Sequence, residues 1–67
     1  MKILLNNIPE DIALDGISVS ELLKYKNYTF KMLVIKINGE LVKKTEYDTA
    51  MIGDGDDVHV LHLISGG

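Results

Sequence analysis

Sixty-seven residues make one small domain, and a chain this short buries only about 60% of the surface it exposes when unfolded. A deep internal active site is therefore not expected. Seven Lys and Arg against ten Asp and Glu, a net charge of −3, lack the basic footprint of a nucleic-acid binder, and no nucleic-acid partner is expected.

The chain has no cysteine, which excludes disulfides, thiolate zinc sites, a cysteine nucleophile and a side-chain persulfide. No apolar run approaches the roughly 20 residues needed to cross a bilayer. Met1 to Leu5 is too short for a signal peptide. A cytoplasmic location with no membrane partner is the expectation.

Met1 to Asn6 is apolar-rich and predicts a strand, and Asn7 to Pro9 predicts a turn. Ile12 and Leu14 at period two predict a second hairpin strand over residues 10–14, closed by Asp15-Gly16. Ser18-Val19-Ser20-Glu21 is a capping box, in which Ser18 accepts from a first-turn N–H and Glu21 reaches back. Val19, Leu22 and Leu23 share one face of the helix this predicts from Val19 to Lys26, and Asn27 suits its end. Phe30 to Asn38 is β-rich, Asn38-Gly39 is a tight-turn pair, and Leu41 and Val42 begin a return strand. Residues 43–52 are irregular by pattern, and Asp54 to Asp57 form a polar turn. Val58 to Ile64 predict the last strand, after which Ser65-Gly66-Gly67 close the sequence. Two strands, a crossover through one helix and further strands predict an α+β fold. Its expected form is a β-grasp with about five strands in a mixed sheet and the helix across one face. Residues 1–64 are expected to form the domain and 65–67 a flexible tail.

Two glycines cost much conformational entropy to order and add nothing to a core. They are either a frayed end or a tail whose bare backbone enters a slot closed to side chains. Three residues past the strand reach at most about 10 Å. Within the last strand, if Val58 and Val60 point inward, His59, Leu61 and Leu63 point outward. Leu61 and Leu63 then form an exposed docking patch or are covered by neighbouring side chains. His59 and His62 face opposite sides of a strand and cannot chelate one metal, so no metal site is expected. Asp54, Asp56 and Asp57 lack the remaining ligands of a calcium loop. Ser18 reads as a cap rather than a nucleophile, and Met32 and Met51 as core fillers. Lys36, Lys43 and Lys44 read as a solvated face or as a small basic patch able to steer an acidic partner.

Taken in order, Val19-Ser20-Glu21-Leu22-Leu23, Asn38-Gly39-Glu40-Leu41-Val42, Thr45-Glu46-Tyr47, Asp54-Gly55-Asp56, the apolar strand and Gly66-Gly67 resemble the ThiS family of sulfur carriers over nearly the whole chain. The chain departs from the family at Val42-Lys43-Lys44-Thr45-Glu46-Tyr47, where Val-Pro-Arg-Ser-x-Trp is common, and Lys does not replace Arg in planar, bidentate contacts. The resemblance implies a carrier in thiamine thiazole synthesis that is not itself an enzyme and holds no permanent cofactor. A ThiF-like adenylyltransferase would use ATP to adenylate Gly67. A sulfur-donor protein would convert it to a thiocarboxylate, and a ThiG-like thiazole synthase would receive the sulfur. Gly66 and Ser65 would provide clearance, and His59, Leu61 and Leu63 would dock. A MoaD-like carrier for molybdopterin synthesis, a ubiquitin-like modifier and a passive β-grasp module with an unreactive tail are the competing readings.

Overall fold

The computed structural model describes residues 1–28 and 32–63. Phe30 and Ile64, the expected ends of two strands, lie outside the described residues, as do Ser65, Gly66 and Gly67. Strand β1 (Lys2–Leu5) alternates outward and inward, which buries Ile3 and Leu5. The chain reverses at Asn6-Asn7, both at positive φ (52° and 67°), so that Leu5 faces Ile8 and β2 runs Ile8–Asp11. Paired positive-φ residues match the right-handed twist of the flanking strands. The turn thus lies one residue earlier than expected, and β2 starts two residues before the expected 10–14 segment and ends within it. Pro9 sits inside the strand opposite Leu4, which is tolerated because β2 is a sheet edge. Ile12 is buried just past the strand end, while Leu14 is exposed in the connection.

Gly16 does not close a hairpin. It opens β3 (Gly16–Ser18), which leads directly into helix α1 (Val19–Tyr25). The capping box forms as expected: the Glu21 N–H donates to Ser18 Oγ (3.1 Å) and the Ser18 N–H to Glu21 Oε1 (3.0 Å). At the other end Asn27 takes φ 57°, its N–H donates to the Lys24 carbonyl, and the Tyr28 N–H reaches back to Leu23. This pair of bonds is a Schellman closure, which satisfies carbonyls the helix leaves open. Val19 and Leu22 are fully buried and Leu23 packs against them.

Strands β4 (Leu33–Ile37) and β5 (Glu40–Val42) flank the Asn38-Gly39 turn, at φ 52° and 84°. The segment expected to be irregular holds a 3₁₀ turn (Lys44–Glu46) and a short strand, β6 (Met51–Gly53). Strand β7 runs Asp57–His62. The main sheet has the order β2-β1-β7-β4-β5, with β1 and β7 parallel and the other neighbours antiparallel. A separate ribbon pairs β3 with β6, opposing Ile17 and Ile52, both buried. The core gathers Ile3, Leu5, Ile35, Val58 and Val60 from the sheet, Val19 and Leu22 from the helix, and Ile12, Ile17 and Ile52 from the second ribbon and its approach. Met32 and Met51 do not fill it: they are 50% and 59% exposed. Ile52 is the inward residue of β6, so alternation turns its neighbour Met51 outward. No helix among the described residues is long and apolar enough to cross a membrane.

Candidate functional site

The polar turn before β7 is held by its own carboxylates. The Lys2 N–H donates to Asp54 Oδ1 (2.6 Å), and the Gly55 N–H, at φ 85°, donates to the Lys2 carbonyl (2.7 Å). Asp56 accepts from the Gly53 N–H (2.8 Å) and from Asn38 Nδ2 (3.0 Å), while Asn38 Oδ1 accepts from the Asp57 N–H (2.9 Å). These bonds tie the start of β7 to β1 and to the β4–β5 turn. Among the described residues no three acidic or histidine side chains converge on a position that could hold a metal.

From this anchor β7 runs up the middle of the sheet toward the Ser-Gly-Gly end. Its parallel pairing with β1 covers Leu4↔Asp57 and Leu5↔Val58. Beyond that point the Asn6 side chain takes over the role of the neighbouring strand. Asn6 Nδ2 donates to the Val60 carbonyl (3.1 Å), and Asn6 Oδ1 accepts from the Val60 N–H (2.8 Å). One amide thus satisfies both backbone groups of a buried strand residue. On the opposite edge of β7 the antiparallel ladder with β4 is continuous from Ile37↔Val58 to Leu33↔His62, and the Leu63 N–H extends it by donating to the Met32 carbonyl (2.9 Å).

Alternation along β7 places the expected docking residues on the face away from the core. Val58 and Val60 are buried, while Leu61 and Leu63 are 48% and 47% exposed. His59 is half-buried on that outer face, its Nε2 at 3.2 Å from Asp57 Oδ1. That Asp57 oxygen is buried and makes no hydrogen bond among the described residues. His62, on the opposite side of the strand from His59, is exposed, so the two histidines do not converge. Leu63 also borders a groove of about 800 Å³ between the end of α1 and the β4–β5 hairpin, lined largely by apolar side chains such as Leu23, Tyr28, Val34 and Tyr47. Ser65, Gly66 and Gly67, the expected tail, lie outside the described residues.

Read from the sequence, Asn6 has no part in the site and Asp57 enters only as a candidate metal ligand. The Asn6-Asn7 pair is itself a two-residue hairpin signal, but nothing local indicates that the first amide reaches residue 60.

A single helix held across a mixed sheet, with a central last strand leading into Ser-Gly-Gly, defines the ubiquitin-like β-grasp class. The model of the ThiS family matches residues 3–67, and the chain belongs to that family. A crystal structure of the thiamine biosynthesis protein ThiS from Geobacter metallireducens superposes with a TM-score of 0.89 at 26% identity, over 100% of both chains. A solution structure of a thiamine biosynthesis protein from the same organism superposes with a TM-score of 0.81, also at 26% identity, over 100% of this chain and 88% of that one. A search of curated proteins finds no match.

Proposed function

We propose that the protein is a sulfur carrier of thiamine thiazole biosynthesis whose working group is the Gly67 carboxylate. The observation that carries the reading is the ThiS family match, which runs through the fold and on to Gly66-Gly67.

A carboxylate is a poor electrophile at neutral pH, so it needs activation. A ThiF-like adenylyltransferase transfers AMP from ATP to Gly67 and releases pyrophosphate. The resulting acyl-adenylate has a good leaving group. Sulfide-level sulfur supplied by a donor protein attacks the acyl carbon, expels AMP and remains on Gly67 as a thiocarboxylate, a strong nucleophile that a ThiG-like thiazole synthase consumes. In this scheme the chain catalyses nothing and holds no resident cofactor, and ATP belongs to the partner. Its cysteine-free composition suits the role, because the terminal thiocarboxylate is then the one reactive sulfur on the chain. Residues 65–67 act as a slender tail in which Gly66 and Ser65 give clearance. His59, Leu61 and Leu63 meet the partner on the outer face of β7. The four residues after Leu63 reach about 14 Å when extended, enough to enter a partner's active site while that face stays docked.

The test is thiol-selective alkylation of the native protein, read by intact mass and C-terminal peptide mapping. A haloacetamide adduct on Gly67, absent when residues 66–67 are removed, is the expected result. Absence of the adduct after incubation with ATP, the cognate adenylating enzyme and a sulfur source sinks the carrier assignment. Appearance of isopeptide conjugates on denaturing gels would instead identify a protein modifier.

A further inference from the structure

The outer face of the β4–β5–β7 half carries a charge pattern that opposes the charge of the molecule. Register places Leu61 beside Val34, His59 beside Lys36, and Lys36 beside Leu41. Lys43 follows β5 directly, one residue past the Ile35↔Val42 pair, and is exposed at this end of the hairpin. Lys36, Lys43, Leu41 and Leu61 are all exposed. Asp57 lies on the same face, its Oδ1 at 3.2 Å from His59 Nε2. Of the two carboxylates three residues from Lys43, Glu46 is turned to the Lys43 backbone N–H (3.0 Å), and Glu40 lies at the start of β5 opposite Ile37. Two exposed lysines and a half-buried histidine therefore rim an apolar centre on a chain of net charge −3.

We propose that this cation-rimmed face is the docking surface for a partner protein whose apolar contact patch is bordered by carboxylates. The inference rests on the carrier reading and names the chemistry of the surface that receives the carrier. Position supports it: Leu63 is pinned into the β4 ladder at 2.9 Å, and a partner that takes up Gly67 lies within about 14 Å of this face. Charge supports a protein partner over a polyanion. A net negative molecule is repelled at long range by nucleic acid or an anionic membrane, whereas a local pair of lysines still complements a local pair of carboxylates. Lysine stems also lie along apolar surface while their ammonium groups stay in water, so Lys36 and Lys43 widen the apolar contact as well as rim it.

The experiment is ATP–pyrophosphate exchange by the adenylating enzyme of the carrier reading, with the carrier varied across about 50 to 300 mM salt, a range over which the screening length shrinks appreciably. The variants are Lys36→Glu with Lys43→Glu, and Lys24→Glu on the helix as control. The double variant should raise KM for the carrier about tenfold or more with kcat unchanged, as expected for rim charges that govern encounter. It should also flatten the rise of KM with salt expected of the wild-type chain. Lys24→Glu should change neither, and thermal unfolding should show both variants folded at the assay temperature, as exposed positions allow. Exchange with wild-type KM and salt response in the double variant overturns the inference alone. No exchange with the wild-type chain overturns the carrier reading and this inference with it. Retention of the wild-type chain on phosphatidylglycerol vesicles, lost in the double variant, would assign the face to an anionic membrane and overturn the protein partner.

Discussion

Single side chains close gaps that backbone pairing leaves open. Asn6 is the clearest, because its amide substitutes for a strand that has already turned away. Asn6→Gly keeps the positive φ yet removes both bonds to Val60, and leaving that buried N–H unmet should cost about 1–3 kcal/mol in urea unfolding. Ser18 caps α1, so Ser18→Ala should cost about 1 kcal/mol. The reciprocal half of the box is a charged group. The Ser18 backbone N–H, and then its hydroxyl, hold the Glu21 carboxyl below its ordinary value of 4.5. A folded-state pKa below the unfolded one stabilises the fold above pH 4.5, and that contribution fades as pH falls through the folded value. Glu21→Gln should therefore flatten the acid limb of a stability–pH profile while leaving a working cap at neutral pH.

Among elements, β7 and β4 form the longest ladder at the sheet centre, whereas β3 and β6 are three-residue strands in a ribbon of their own. Amide exchange should be slowest at Ile35, Val58 and Val60 and clearly faster in β6, since short ribbons open without unfolding the whole chain. Comparable protection in both would mean that ribbon and sheet open as one unit. The helix is only seven residues long, too short to persist alone, and depends on Val19 and Leu22 packing into the sheet. Its far end is tied to the edge strand β2 by Lys26 Nζ and Glu10 Oε1 at 2.7 Å. The hydrogen bond to Glu10 raises the Lys26 pKa above 10.5, so this contact supports the fold below that pH and is lost as the amine deprotonates above it.

On the scale of the whole molecule, the proposed working group and the packed core lie in different parts of the chain. Core side chains end at Val60, and the described residues that follow it on β7 are exposed. Removing Gly66 and Gly67 should therefore leave the unfolding free energy within about 0.5 kcal/mol of wild type, as for surface changes generally. The same truncation should abolish adenylation. A marked loss of thermal stability would show instead that the tail belongs to the fold.

Much of this was legible in residue order. The capping box, the Asn27 stop, the Asn38-Gly39 turn and the inward pair Val58 and Val60 are local signals, set by φ preferences and period-two or helical spacing, and each stands where expected. The family resemblance likewise rests on motifs in order and is matched over residues 3–67. The β3–β6 ribbon was not legible, because three-residue strands carry too little periodicity and their pairing spans more than thirty residues. β2 starts earlier than its alternation indicates because Asn6-Asn7 makes the two-residue turn and an edge strand tolerates Pro9. Met32 and Met51 were assigned to the core because hydrophobicity alone does not say which face a strand residue takes. Three-dimensional packing alone brings the Asn6 amide to Val60, turns Asp54 and Asp56 toward backbone N–H groups, and sets Lys36 beside His59. Those contacts join residues whose separation in the chain carries no local signal, and only the sheet order places them within hydrogen-bonding or side-by-side distance.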